Sequence, residues 1–177
     1  MSHPRIMMVG AALVVGLGLS WAMFNLPKPA APVPAGFVRV DPPKPLPAAL
    51  AGRFGRPGVV AFWATWCTPC LAEMPSLARF NRAAEGKGIG LLTVLEEHES
   101  AKDAAVRIMG RNGLGEVPLV VDDDSSLGNT LGVFGIPTAL VVNAKGEEIA
   151  RLVGGADWAR PEMLAQIEAL IAQAATP

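Results

Sequence analysis

The two cysteines of the chain, Cys67 and Cys70, are separated by two residues. They fall where a short apolar run, typical of a buried strand, meets a helical pattern that continues to Glu85. At a helix N-terminus, unpaired backbone N–H groups and the helix dipole favour an anion, which lowers the pKa of the Cys67 thiol and makes it a nucleophile. Cys70, one helical turn further on, can close a disulfide with Cys67 and resolve a mixed disulfide. The spacing therefore predicts reversible thiol–disulfide exchange.

The cysteine pair has two other possible roles, a structural disulfide and a metal site. A purely structural disulfide is disfavoured, because so short a separation closes a small loop and contributes little loop entropy. A metal site would need further ligands, but His3 precedes a long apolar run and His98 stands alone in an acidic loop. Binding of Cu(I) by the two thiolates remains an open alternative. We expect neither a resident metal nor a cofactor.

The charge of the chain argues against a nucleic-acid partner. Lys and Arg total 15 against 16 Asp and Glu, a formal net charge of −1, whereas nucleic-acid binders carry a strongly basic patch or domain. No glycine-rich loop ending in Lys-Ser or Lys-Thr follows a strand, so a phosphate-binding loop is not supported. The three consecutive aspartates Asp122, Asp123 and Asp124 are interpreted as a solvated turn rather than a cation site.

The elements that position the cysteines follow from the hydrophobic pattern. Strand and helix signals alternate from Gly58 onward, which predicts an α/β domain with a mixed sheet and helices on both of its faces. Ser100 is expected to cap the second helix, with Asp103 in its first turn. The predicted strands are 59–63, 89–95, 119–121, 138–142 and 148–153, and the predicted helices are 67–85, 100–112, a short helix ending at Leu131, and 161–172.

The N-terminal part of the chain predicts a membrane segment followed by a spacer. Ile6–Leu26 contains no charged residue and, at about 1.5 Å per residue, is long enough to cross the hydrocarbon core as an uncleaved signal anchor. A cleaved signal peptide is the alternative, although its apolar region is normally shorter. The charge bias favours residues 1–5 in the cytoplasm and the remaining chain outside. Residues 27–57 hold nine prolines and are predicted to be an extended spacer that admits an edge strand at 37–40; the folded domain is predicted at 58–177.

At this point the chain resembles a known family. Residues 62–70 (FWATWCTPC) resemble the active-site stretch of thioredoxins, and residues 135–138 (GIPT) resemble the loop that carries their cis-proline. Residues 70–75 (CLAEMP) are similar to the membrane-anchored TlpA/ResA-type thiol–disulfide proteins, and residues 146–158 look most like the TlpA branch. The resemblance implies a thioredoxin fold with a central helix–strand insert between Glu96 and Val117, preceded by one transmembrane helix.

The resemblance also implies roles for residues around the cysteines. Pro137, if its peptide bond with Ile136 is cis as in the family's loop, would face Cys67 and present the backbone of Ile136 to a substrate strand. Thr138 and a partly exposed Trp66 would also contact the substrate, while Trp63 would serve the core.

Glu73 is the implied proton-handling residue. In this family the glutamate three residues after the second cysteine lies near the thiols, whereas ordinary thioredoxins use an aspartate at the strand position occupied here by Ala61. A surface glutamate that only stabilises the helix N-terminus remains the alternative.

The implied function is reduction of disulfides in exported proteins by a single-pass protein of the bacterial inner membrane, with its catalytic domain in the periplasm. Electrons would come from a membrane donor of reducing equivalents. The resemblance suggests copper-assembly proteins of cytochrome oxidase as targets. Apocytochrome c is the alternative target, although CcmG-type proteins usually carry an acidic residue where this chain has Thr138. A non-enzymatic copper-binding assembly factor is an alternative from another functional class.

Overall fold

The computed structural model describes residues 36–53 and 55–175. The strands are β1 (Phe37–Pro45), β2 (Gly58–Trp63), β3 (Gly90–Leu95), β4 (Leu119–Val121), β5 (Thr138–Val142) and β6 (Glu147–Val153). They form one six-stranded sheet in the order β1-β6-β5-β2-β3-β4. The sheet is mixed, because β2, β3 and β4 run parallel while the other neighbouring pairs are antiparallel. The helices are α1 (Ala48–Ala51), α2 (Thr68–Glu85), α3 (Lys102–Arg111), α4 (Ser126–Leu131) and α5 (Pro161–Ala174).

The strand that leads to the cysteines is the centre of the domain. All six residues of β2 are buried, because β3 pairs with it on one side and β5 on the other. Its side chains alternate between two hydrophobic clusters, with Val59 and Ala61 in one and Val60 and Phe62 in the other. A strand held on both edges and both faces is rigid, so the turn that follows it is held in place.

The α/β architecture predicted from the pattern is confirmed, and the helix after the cysteines closely follows its predicted bounds. Helix α2 buries a periodic set of side chains that includes Met74, Leu77 and Phe80 against the first cluster. Pro69 stands in its first turn, where the missing N–H has little cost, and Pro75 lies inside the helix. In the region of the predicted insert, α3 leads into β4, which extends the sheet beyond β3.

Residues 37–51, predicted to lie in the spacer, belong to the sheet and its cover. The strand admitted at 37–40 extends to Pro45 and pairs with β6 at the edge of the sheet. Prolines are tolerated there because an edge strand has one unpaired side and this pairing is interrupted between Arg39 and Lys44. The chain then forms α1, whose Leu50 is fully buried. The admitted edge strand is thus longer than predicted, and the helix at 48–51 was not expected, because proline content alone reveals neither.

The prediction that Ser100 caps the second helix is wrong. A 3₁₀ turn at Glu99–Ala101 precedes α3, and no side chain caps α3 itself. Instead the Ser100 backbone N–H donates to Nδ1 of His98, at 3.4 Å, so the local cap comes from the preceding histidine.

The predicted membrane segment at 6–26 and the predicted cytoplasmic N-terminus lie outside the described residues. Within 36–53 and 55–175, no helix has the length and apolar character needed to cross a membrane.

Candidate active site

Cys67 and Cys70 form a disulfide at the N-terminus of α2. Cys67 is the N-cap residue of the helix, and its Sγ accepts a hydrogen bond from the Cys70 backbone N–H at 3.3 Å. Both cysteines are nearly buried, 4% and 1% exposed. In the reduced form, the same N–H and the helix dipole would stabilise a thiolate on Cys67, which is the physical basis for treating it as the nucleophile.

The turn that carries the nucleophile is bound by a residue that sequence reasoning missed. Glu97, interpreted as part of a solvated loop, accepts hydrogen bonds from the Thr65 backbone N–H at 2.9 Å and from the Thr65 Oγ1 hydroxyl at 2.8 and 3.0 Å. The neighbouring Glu96 N–H donates to the Trp63 carbonyl at 2.8 Å. The position of Glu97 in the sequence could have indicated this contact. Glu97 follows β3 and Thr65 follows β2, and the carboxyl ends of neighbouring parallel strands lie at the same edge of a sheet.

The Ile136–Pro137 peptide bond is cis, as the resemblance implies. The Pro137 carbonyl accepts a hydrogen bond from the Gly154 N–H at 2.9 Å, which ties this loop to the end of β6. Thr138 is 4% exposed, and its hydroxyl donates to the Gly135 carbonyl at 2.7 Å. Its side chain points to the buried face because Thr138 starts β5 opposite Phe62. The hydroxyl of Thr138 stabilises the loop, and its contact with a substrate stays a prediction.

Two exposed aromatic side chains lie on the turns that precede Cys67 and Pro137 in the chain. Trp66 precedes Cys67 and is 67% exposed, while Trp63, predicted to serve the core, is buried. Phe134, two residues before Ile136, is 90% exposed and was not singled out from the sequence. The sequence could have indicated this exposure, because Phe134 lies between two glycines and outside any strand or helix pattern that would place it in the core. Exposed aromatic side chains are characteristic of binding surfaces, and Trp66 is adjacent to Cys67 in the chain.

Glu73 lies on α2 facing the loop that follows β6. Its Oε2 accepts a hydrogen bond from the Ala156 N–H at 3.0 Å. A Cβ built on Gly155 would lie 3.9 Å from Glu73 Oε2 and 3.9 Å from Pro137 Cγ, so Glu73 and the cis-proline border the same glycine. Burial raises the pKa of Glu73, and the hydrogen bond from Ala156 opposes this by a smaller amount. A carboxyl whose pKa is raised by burial holds its proton more readily than an exposed one, which suits it to general acid–base chemistry.

A groove begins at the cysteine motif and runs along α2. Its volume is about 500 Å³, and one wall is α2 while the other is the loop after β6. The lining residues are Pro69, Ala72, Glu73, Pro75, Ser76, Arg79, Gly155, Ala156 and Asp157.

The aspartate run is an exposed turn at Asp123 and Asp124, as predicted, but Asp122 is not part of it. Asp122 is 2% exposed, and its carboxylate accepts hydrogen bonds from the N–H groups of Leu127 at 3.1 Å and Gly128 at 2.8 Å. It turns inward because the first N–H groups of α4 have no intrahelical partner. Nearby, Glu96 is partly buried, and its burial together with the hydrogen bond and charge of Asp122 raises the pKa of Glu96 to about 7.

The mixed sheet, with its cysteine pair at the start of α2 and its cis-proline before β5, defines a thioredoxin-like α/β protein. The family model described as Redoxin matches residues 41–169, and the chain belongs to this family. A secreted thiol-disulfide isomerase from Corynebacterium glutamicum shares the fold, with a TM-score of 0.63 at 18% identity over 78% of this chain and 95% of that one.

Two curated proteins are similar to the chain. The thiol:disulfide interchange protein DsbE of Pseudomonas fluorescens biotype C is 34% identical over 123 residues, covering 68% of this chain and 65% of that protein. The sporulation thiol-disulfide oxidoreductase A of Bacillus subtilis is 31% identical over 94 residues, covering 52% of this chain and 56% of that protein. The matches thus span roughly half to two thirds of these relatives. They confirm the resemblance to thioredoxin-like proteins of the TlpA/ResA/CcmG kind.

Proposed function

We propose that the protein is a thiol:disulfide oxidoreductase that reduces disulfides in exported proteins. The observation that carries this proposal is the disulfide between Cys67 and Cys70, with the sulfur of Cys67 at the N-terminus of α2 and bonded to the Cys70 N–H. A purely structural bridge gains little from so short a loop, whereas a helix N-terminus favours the thiolate form of the capping cysteine.

The reaction starts from the reduced dithiol. The Cys67 thiolate attacks one sulfur of the target disulfide, forming a mixed disulfide and releasing the first target thiolate. The Cys70 thiolate then attacks the Cys67 sulfur, releasing the second target thiolate and closing the Cys67–Cys70 disulfide. Two electrons pass to the target, and a membrane donor of thiol reducing equivalents restores the dithiol.

The surrounding residues have separate roles in this proposal. Glu73 takes the proton of the Cys70 thiol as Cys70 becomes the attacking thiolate, which its burial-raised pKa supports. Pro137 and the backbone of Ile136 align an extended segment of the target opposite the cysteines, and Trp66 contacts it through its exposed ring. Thr138 contacts the target through its backbone alone, because its side chain is buried.

The proposed location is the bacterial inner membrane, with residues 6–26 as a single-pass anchor and the catalytic domain in the periplasm. The uncharged composition of that segment supports this layout. We propose copper-assembly proteins of cytochrome oxidase as targets. Apocytochrome c is the second candidate, and the threonine at position 138 in place of an acidic residue weighs modestly against it.

The test is to trap targets with the full-length Cys70→Ser protein in cells. This variant retains the attacking thiolate and lacks the resolving one, so mixed disulfides with targets accumulate; Cys67→Ser is the matched control and should trap none. Recovery of apocytochrome c in place of copper-assembly proteins would overturn the choice of target. A reduction potential near that of strongly oxidising enzymes would contradict the reductase role. Tight Cu(I) binding that survives competition by glutathione would favour the copper-binding alternative.

A further inference from the structure

Strand β6 carries an ion pair that the redox chemistry does not use. The carboxylate of Glu148 is fully buried, and Arg151, three residues further along β6, donates to both of its oxygens at 2.7 and 2.8 Å. Burying two charges costs desolvation energy that such a pair seldom recovers by itself. Further contacts of Glu148 or Arg151 are therefore needed to explain why these charges are buried.

The guanidinium of Arg151 also binds the end of a helix. It donates to the carbonyls of Leu131 at 2.9 Å and Gly132 at 3.1 Å, where α4 ends. These carbonyls belong to the last turn, which lacks intrahelical partners, and a cation is favoured at that end of the helix. Glu148 thus orients the guanidinium from one side while α4 is held on the other.

The segment held in this way is the loop that leads to the cis-proline. It starts at Gly132, whose φ of +68° is in the left-handed region, and ends at Pro137. A Cβ built on Gly132 would lie 3.8 Å from the ring of Phe134 and 4.0 Å from Nη1 of Arg151. The guanidinium and the exposed aromatic ring therefore flank the same glycine.

We propose that Glu148 and Arg151 are positioning residues for the docking of protein substrates, acting through the loop from Gly132 to Pro137. Arg151 fixes the start of this loop, and Glu148 fixes the orientation of Arg151. Together they set where the loop presents Phe134 and the backbone of Ile136. The inference rests on the proposed reductase function, and it predicts an effect on binding of a protein disulfide and none on the chemistry of the cysteines.

The experiment compares two disulfide substrates of the full-length protein. Insulin needs a docking surface, whereas the small aromatic disulfide DTNB reaches the thiols without one. For Arg151→Met we expect KM for insulin to rise about tenfold, the equivalent of ~1.4 kcal/mol, with little change in kcat. The DTNB rate and the reduction potential should stay at the wild-type values. Arg151→Lys keeps the charge but lacks the planar guanidinium group. We therefore expect its KM for insulin to lie between those of the wild type and Arg151→Met.

Controls separate positioning from general loss of stability. Lys87→Met removes an exposed ion pair with Glu168, remote in sequence from the loop, and should leave both substrates unaffected. Leu170→Ala opens the buried face of α5 and destabilises the fold, so it should not raise KM for insulin selectively while the protein remains folded. If Arg151→Met does not fold, the double variant Glu148→Met/Arg151→Met removes both buried charges and takes its place.

A double-mutant cycle with Phe134→Ala gives an independent readout. If Arg151 acts through the loop, the two substitutions raise KM for insulin by less than the product of their separate effects. Multiplicative effects, an unchanged KM in the Arg151 variants, or equal slowing with insulin and DTNB would each overturn the inference. Failure of the wild-type protein to reduce either substrate would instead refute the proposed function.

Discussion

Replacing Phe134 with alanine tests directly whether the cis-proline loop is a docking surface. The ring is 90% exposed, so its removal takes almost nothing from the core, and we expect the free energy of unfolding to change by less than about 0.5 kcal/mol. Full burial of a phenylalanine side chain is worth roughly 1.5–3 kcal/mol. If a target protein covers most of the ring, the loss of binding free energy is of that size, which corresponds to a rise in KM of about 10- to 100-fold.

The assay is steady-state reduction of insulin, with DTNB as the substrate that does not need docking, alongside urea denaturation. Phe134→Leu retains most of the apolar surface and should lie between the wild type and Phe134→Ala. Val106→Ala is the matched control, because Val106 is also exposed, at 51%, but lies on α3. A KM for insulin within twofold of the wild-type value in Phe134→Ala would refute the docking role, and a large fall in stability would refute the structural reasoning.

Three further predictions concern the acidic residues near the site. Glu73→Gln keeps an oxygen that can accept from Ala156 but cannot take a proton, so kcat for insulin at neutral pH should fall about 100-fold at nearly unchanged stability; a pH–rate profile identical to the wild type would exclude proton transfer by Glu73. Thr65→Val removes the hydrogen bonds from the hydroxyl to Glu97 and should lower the free energy of unfolding, measured by urea denaturation, by about 1 kcal/mol. Thr65→Ser keeps the hydroxyl and should keep the wild-type free energy of unfolding. Because the pKa of Glu96 is raised from 4.5 to about 7, the folded state holds this proton more tightly than the unfolded state, and the resulting stabilisation is lost as pH rises between these values. Glu96→Gln should therefore be more stable than the wild type at pH 8 by about 1 kcal/mol, a figure reduced for solvent screening of a partly exposed group; equal urea midpoints of the two proteins at pH 8 would contradict it.

Much of the fold was readable from the sequence because its signals are local. Each of these signals lies in one continuous stretch of sequence, as in the apolar runs of β2 and β5 and the periodic pattern of α2. The cysteine pair was readable for the same reason, since two thiols one helical turn apart need only the start of one helix to meet. The cis state of Pro137 came from resemblance to a family and not from any property of the residues alone.

What the sequence by itself determined is therefore the reactive pair and the strand and helix that carry it, whereas the exposure of Trp66 was implied by the family resemblance. The tertiary structure decided the contacts between distant segments: Glu97 with Thr65, and Arg151 with the end of α4. It also placed Thr138 and Asp122 in the interior, where the sequence had suggested a substrate contact and a solvated turn. The physical reason is that a polar side chain has many partners it could bond, and only the packing of the sheet and helices selects one.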